Sequence, residues 1–532
     1  MPYIFRVMVI WCAVVGFVTA RGNASQKINI SGKVIESSGT PISGATVKLA
    51  KAGLTVTTDR DGKFTLGGGT APLCRPQGNK SAPASFVDTL TVSKTGYLDY
   101  VRGMTNTDID GLVIRPARSD HPKMTQKHVY EIGTDFRFRF VHTLNPRLDK
   151  DVVASDGLLQ RYRLRTWAIF NHDENLQTRI RLTTEPRYYW RPDLDEPWQY
   201  DEALFDQFHV IWSNAFDLDM QMTVGRQDFR LGSGWLVRRG TPRDGSRTNF
   251  FDAIRLQYEL SSGSALDLIY IENRANSSAY IRPFNDQDRD LAPQDDRGFI
   301  AYLTGVEQDH RQLDSYFIYK NSHDPTTSYG REGETYTFGI RYAQDLLNDW
   351  NYQLEFAPQF GHNGGKSLSV FATNNWLERQ LKNEQNTRLR FGYEYLSGDD
   401  DPDRHFDKLW GRATQWSELY NGGIDSIDGR TKDSSNLHRI WADWTLDPSA
   451  RTELSSGYHL IFADENINTA GTDGLSKSGC FKGQLLTSQF TFAQSKHIRH
   501  RALLEFFVPG DYYNSDRNDP ALFARYELYF TW

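Results

Sequence analysis

From about residue 127 to the C-terminus, apolar and polar positions alternate with a period of two. In "YEIGTDFRFRFVHTL", Ile132, Phe136, Phe138 and Phe140 fall on one side, with Asp135, Arg137 and Arg139 on the other. "RYRLRTWAIF" sets Tyr162, Leu164, Ala168 and Phe170 against Arg161, Arg163 and Arg165, and "LQTRIRLTT" sets Ile180 and Leu182 against Arg179 and Arg181. "TYTFGIRYA", "NYQLEFAPQF", "TRLRFGYEYL", "LHRIWADWTL" and "RALLEFFV" repeat the dyad. The closing "ALFARYELYFTW" puts Leu522, Ala524, Tyr526, Leu528, Phe530 and Trp532 on one face and Phe523, Arg525, Glu527, Tyr529 and Thr531 on the other. Extended backbone sends successive side chains to opposite faces, so these segments are predicted strands. About eighteen of them occur, each near the length that crosses a bilayer as a tilted strand. Helical periodicity is weak, and helix-like pieces such as "NWLERQLKNE" are short.

The connections sort by parity. "NHDEN", a few residues near Ala215, "SSG", "LNDW", "DPSA" and "QSKH" are short. Those between them are long and polar, at 186–203, 229–249, 274–296, 398–434 and 464–482. A strict alternation of short turn and long loop marks an outer-membrane barrel with periplasmic turns and external loops. On that reading the apolar face of the last strand meets lipid, and Trp532 joins the aromatic girdle. The strand pairs with the first, because unpaired backbone cannot be left in hydrocarbon. The fold class is all-β: a transmembrane antiparallel β-barrel of about 18 strands over 127–532.

The region before the barrel differs. "MPYIFRVMVIWCAVVGFVTARGNAS" carries Arg6, an apolar run at 7–18 and small residues around Ala20 and Ala24, which predicts a secretory signal peptide over 1–24. Only Cys74 and Cys480 then remain, too few for a disulfide framework. Residues 26–118 hold short strand-like runs (30–35, 46–49, 54–58, 63–66) punctuated by Gly, Pro, Ser and Asp, as in a small β-sandwich. Gly32-Lys33-Val34, Pro41 with Gly44-Ala45, Thr58-Asp59 with Gly62-Lys63-Phe64, and Gly96-Tyr97 resemble the carboxypeptidase regulatory-like fold, which implies a non-catalytic accessory domain. "DRDG" at 59–62 reads as a hairpin turn and not a calcium loop, lacking the further spaced carboxylates.

A barrel of this size holds an aqueous lumen, so inward positions carry function. The alternation assigns Arg137, Arg139, Arg161, Arg163, Arg165, Arg179, Arg181, Arg255, Arg388, Arg390, Arg439, Arg501 and Arg525 to that side. Asp135, Glu259, Asp267, Glu355, Glu394, Asp443, Glu505 and Glu527 are the acids there, fewer in number, and Lys is nearly absent. Guanidinium groups bind carboxylates and phosphates in bidentate fashion. Each arginine alone is expected to brace the wall through an acid partner, while the excess forms a positive constriction. Arg161, Arg163, Arg165, Arg179 and Arg181 meet no acid on their own face before Glu185, which makes them the densest unpaired cluster. The net charge of −6 favours no nucleic-acid partner.

Three segments then carry a family resemblance: "GRQDFRLGSGWLVRRGTPRDGSRTNFFDAIRLQY", "YEYLSGDDDPDRHFDKLWG" and "LEFFVPGDYY" before the terminal strand. With them, residues 130–532 resemble the alginate-export family of outer-membrane barrels. The resemblance implies an eighteen-strand pore with a basic lumen for a uronate polysaccharide. It points to Arg226, Gln227, Arg230, Arg247, Asp252 and Arg255 as path residues. The expected partners are an anionic polysaccharide, outer-membrane lipid and a periplasmic secretion partner for the N-terminal domain, which would dock it or cover the pore mouth. A general or carbohydrate diffusion porin is the alternative. An enzyme using Asp252 and Glu355 at the barrel rim is a further one, although no paired-carboxylate, Ser/His or HExxH constellation stands out. No catalytic residue, metal or cofactor is expected. "GHNGGKS" at 361–367 has the wrong spacing for a phosphate loop, and the acidic run Asp399 to Asp403 is assigned to a solvated outer loop.

Overall fold

The computed structural model describes residues 25–34, 42–49, 54–72, 88–93, 100–104, 108–114, 130–149, 156–200, 203–238, 250–260, 264–275, 280–284, 294–305, 311–325, 332–346, 349–381, 383–411, 416–427, 435–468 and 474–532. The expected signal segment, 1–24, lies outside them. The chain divides into two compact units, 1–122 and 123–532.

The first unit has strands β1 (Ser25–Val34), β2 (Thr46–Leu49), β3 (Leu54–Thr57), β4 (Lys63–Pro72), β5 (Asp88–Ser93), β6 (Tyr100–Met104) and β7 (Asp108–Ile114). They form two sheets, ordered β4-β1-β7 and β3-β2-β5-β6. Ile30, Val34, Phe64 and Leu66 of one sheet and Val47, Leu49, Leu90 and Val92 of the other share one buried core. "DRDG" is the β-turn expected of it: the Asp59 carboxylate accepts from the N–H groups of Asp61 and Lys63. Gly62 takes a φ of 73° there, where a side chain is disfavoured.

The second unit runs through β8 (Tyr130–Leu144), β9 (Gly157–Asn171), β10 (Leu176–Thr184), a short hairpin of β11 (Arg187–Arg191) and β12 (Trp198–Gln199), β13 (Leu204–Trp212), β14 (Met220–Gln227), β15 (Phe251–Glu259), β16 (Ala265–Asn273) and β17 (Asp295–Thr304). It continues with β18 (Arg311–His323), β19 (Gly333–Leu346), β20 (Trp350–Asn363), β21 (Lys366–Gln380), β22 (Arg388–Leu396), β23 (Leu437–Ser449), β24 (Thr452–Phe462), β25 (Phe481–Ala493), β26 (Ile498–Pro509) and β27 (Ala521–Thr531). Every wall strand pairs antiparallel with its sequence neighbour, and β27 pairs with β8 to close an 18-strand barrel. The hairpin β11–β12 extends the wall above β9. Closure runs to the last residue, where Trp532 and Thr134 exchange backbone hydrogen bonds.

The alternation holds residue by residue. On β8, Asp135, Arg137 and Arg139 are buried inside, whereas Ile132 and Phe140 are exposed outside; on β27, Arg525 and Glu527 point in and Tyr526 points out. Glycines make room for large inward rings. A Cβ at Gly133 would sit 2.2 Å from the Trp167 indole, and Gly392 and Gly298 likewise accommodate Trp441 and Trp410.

Two expectations need correction. A long connection expected by the alternation is missing, because Gly364 and Gly365, at φ 56° and 76°, join β20 to β21 in a two-residue turn. That is the type I′ geometry, for which glycine is suited, so "GHNGGKS" is a hairpin and the parity of connections is not strict. The second concerns the loops after β14 and β22. These were expected outside and solvated, yet Phe229, Leu231, Trp235, Leu236, Phe406, Leu409, Trp410, Leu419, Tyr420 and Ile424 lie in one buried cluster with wall residues such as Ile269, Ile300 and Tyr316. Apolar side chains on an otherwise polar loop must be buried somewhere, and here that place is the lumen.

Candidate functional site

The two inward loops narrow the lumen at its loop end. They pair with each other through a parallel bridge between Val237 and Trp410. Trp235 Nε1 donates to Glu394 on β22 at 2.9 Å, Ser233 Oγ to Glu355 on β20 at 2.6 Å, and Trp410 Nε1 to Asp296 on β17 at 3.3 Å. A short helix, α1 (Glu418–Gly422), starts against the wall: Glu505 of β26 accepts from Ser417 Oγ and from the N–H groups of Glu418 and Leu419. Lys408 shares Glu394 with Arg439. Burial pulls its ammonium below the usual lysine range, while the Glu394 carboxylate opposes that fall. In the acidic run, Asp401 and Asp403 engage Lys366 at 2.5 and 3.4 Å.

The arginines assigned to β8, β9 and β10 face inward, but as a group they are not unpaired. Glu185 holds Arg137 at 2.8 Å and Arg161 at 2.6 Å. Glu527 holds Arg139 at 2.5 Å and lies 3.4 Å from Arg501. Asp135 stands 3.5 Å from Arg163 and 2.7 Å from Arg165. Arg181 forks between Asp206 at 2.7 Å and Asp228 at 2.9 Å. Further round, Arg255 pairs with Asp267, Arg390 with Glu378, Arg388 with Glu453, Arg439 with Glu394 and Arg525 with Glu418. Partners come from the adjacent strand, from strand ends or from the loops, so a search along one face of one strand misses them. Arg179 is different. Among the described residues it forms no ion pair, and its Nε donates to Gln177.

The family-matched residues are placed differently from the expectation. Arg226 lies directly opposite Phe208 and Asp252 in the sheet register, on the face that Phe208, Val224 and Ile254 turn outward. Its guanidinium makes two 2.8 Å bonds to Asp252, two more at 3.1 Å to the carbonyls of Phe205 and Ile281, and lies 3.5 Å from the centre of the Phe250 ring. It is 0% exposed. Arg226 and Asp252 therefore lock the outer face of the wall and do not line the lumen. Gln227 spends its amide on three backbone carbonyls. Arg230 donates to the carbonyl of Ser233 within its own loop. Arg255 faces the lumen, under Phe229. Arg247 lies outside the described residues. Glu355 points inward to Ser233 and Tyr316, so the two carboxylates of the enzyme alternative sit on opposite faces of the wall.

At the turn end of the lumen, inward residues of five neighbouring strands enclose a hollow of about 320 Å³. Trp167, Arg179, Arg181, Gln207 and Tyr529 line it, together with Asp135, Arg165 and the apolar Ile169 and Ile180. Of these, Trp167, Gln207 and Tyr529 were not foreseen; the signal was available as large or amide side chains at inward register positions. Elsewhere, Asp295, His323 and Asp324 bring one ligand atom each within 4.8 Å of one another at the loop end, a set that could hold a divalent ion.

A family model described as alginate export matches residues 129–522. Among solved structures, Acinetobacter baumannii OccAB2 is 11% identical with a TM-score of 0.50, covering 76% of this chain and 98% of its own. Pseudomonas aeruginosa OccK5 (OpdH) is 10% identical, with a TM-score of 0.49 over 75% of this chain and 98% of its own. Pseudomonas aeruginosa OccK2 (OpdF), in complex with glucuronate, is 12% identical, with a TM-score of 0.48 over 76% and 97%. At such identities the likeness is one of fold. No curated protein matches the chain.

Removing one partner of a buried ion pair leaves the other charge uncompensated, at a cost of about 3–5 kcal/mol. Arg226→Met is expected to lower the temperature at which the folded barrel loses its heat-modifiable gel mobility and to leave single-channel conductance unchanged. A changed conductance with an unchanged transition temperature would put Arg226 in the ion path.

Proposed function

This chain belongs to the alginate-export family, and we propose that it passes an anionic polysaccharide or oligosaccharide of the uronate class through its lumen. It is an outer-membrane channel, with the β-barrel of that family and a porin-like closed sheet. The observation that carries the substrate class is the inward wall of β8, β9 and β10. Seven arginines stand there on adjacent strands, six held by carboxylates and one, Arg179, without an ion partner among the described residues. Held arginines keep a rigid polar wall along which hydroxyl groups can slide. The one without an ion pair among the described residues supplies net positive potential, and low-dielectric walls focus it into the lumen.

The neutral-saccharide porin is favoured by one specific observation, the extensive pairing itself. A wall whose arginines are mostly neutralised discriminates less by charge. Transport is proposed to be passive, with no chemistry on the solute. The N-terminal unit is proposed to lie in the periplasm, where it would dock a secretion partner.

Selectivity separates the two readings. In planar bilayers under a salt gradient, the reversal potential of the full-length protein is expected to have the sign of anion preference. Arg179→Glu should move it toward cations, and the difference should shrink near 1 M salt, where the screening length falls to about 3 Å. A reversal potential that Arg179→Glu leaves unmoved would favour the neutral-saccharide porin.

Orientation is tested by labelling. In a background with the native cysteines replaced by serine, Ser515→Cys on the last loop should react with an impermeant maleimide on intact cells. Ser495→Cys on a short turn and Ser43→Cys in the N-terminal unit should react only after the outer membrane is permeabilised. The opposite pattern at residues 515 and 495 would invert the topology, and labelling of residue 43 on intact cells would remove the N-terminal unit from the periplasm.

A further inference from the structure

The hollow at the turn end has a floor, a charge and a rim. Its floor is Trp167, which stands directly opposite Gly133 in the sheet register. A Cβ at Gly133 would lie 2.2 to 2.7 Å from three atoms of the indole, so the ring lies flat against backbone where a side chain would otherwise stand. The same ring also borders the hollow. Its charge is Arg179, across β10, whose Nε goes to Gln177 and which has no ion pair among the described residues. The charge of Glu131 on β8 also reaches that guanidinium. The rim is polar on both sides: Gln207 on β13, held by Asp228, and Tyr529 on β27, whose hydroxyl accepts from Arg165 at 3.0 Å.

Ile169 and Ile180 also border the hollow, but most of its lining residues are polar, and the volume is at the low end of small-molecule sites, which start at roughly 300 Å³. A single polar ring fits such a space better than a lipid chain. A flat aromatic face takes the C–H face of a pyranose, a guanidinium with unspent N–H groups takes a carboxylate, and an amide and a phenol take hydroxyls. These chemistries occur together in one sugar type. We propose that the Trp167 hollow is a docking subsite for one hexuronate residue of the passing chain, with the ring stacked on the indole and its carboxylate on Arg179. The inference rests on the uronate reading of the channel and adds a location and a mechanism: saccharide entering or leaving at the turn end pauses here before or after passing the loops. Arg165 and Arg181 act as positioning residues, because their bonds to Asp135, Asp206 and Asp228 hold the strands on which the subsite is built.

The test uses the full-length protein in planar bilayers with tetramannuronate as blocker and cellotetraose as the neutral control. Wild type should show block by tetramannuronate at lower concentrations than by cellotetraose. Trp167→Ala should weaken both blocks about tenfold, the order of one aromatic contact. Trp167→Phe should recover most of the loss, which a merely misfolded variant would not. Arg179→Gln should weaken block by tetramannuronate alone. Equal block by wild type and Trp167→Ala would overturn the subsite while leaving the channel reading intact. Absence of tetramannuronate block in wild type would overturn the uronate reading and the subsite with it.

Discussion

Within hydrocarbon no water reaches the backbone, so every N–H and C=O of a spanning strand must find its partner in the next strand. A sheet meets that demand only by closing on itself. Here closure falls to the last eleven-residue strand, β27, which pairs with β8 from Leu522 opposite Leu144 to Thr531 opposite Asp135, and Trp532 adds the final pair of bonds. The two-residue register of every other strand follows from that closure. Once the sheet is shut, each residue faces either lipid or lumen, and a slip of one residue would exchange all of them. The outward face is therefore mostly apolar, and the inward face carries most of the wall's charge.

An inward face full of charge sets a second constraint. A buried guanidinium without compensation is costly, and the wall answers with carboxylates from neighbouring strands, from bulged or terminal positions such as Asp206 and Glu185, and from the inward loops. The same logic explains Arg226 and Asp252, which would be intolerable toward lipid as single charges but are acceptable as a pair closed off by two carbonyls and Phe250. Pairing also changes what the lumen can do. Most of its arginines stiffen the wall, so the proposed selectivity rests on a few groups, Arg179 foremost, and on the space left between the wall and the loops that fold into it.

Much of this was legible in the sequence for one reason: strand alternation is local. The faces of β8, β9, β10 and β27, the closure by Trp532 and the hairpin at "DRDG" follow from residues adjacent in the chain. What was not legible depends on residues far apart. That Asp135 would neutralise Arg165, or that Asp228 would reach Arg181, needs the register between strands. That Trp235 and Trp410 would turn inward needs the presence of a lumen wide enough to receive them, although the apolar "GWLV" and "KLWG" inside polar loops carried the hint. The outward position of Arg226 needs the register with Phe208, and a motif match does not supply register.

Charge at the lumen wall is proposed to favour an anionic saccharide over a neutral one of the same length. This preference is tested most directly by flux. Proteoliposomes holding the full-length protein would be loaded with equal concentrations of tetramannuronate and cellotetraose, and the efflux of each followed at low and high salt. Tetramannuronate should be lost faster at low salt, and the two rates should converge as screening tightens from about 30 Å at 0.01 M to about 3 Å at 1 M. Equal rates at low salt, or faster loss of cellotetraose, would contradict it.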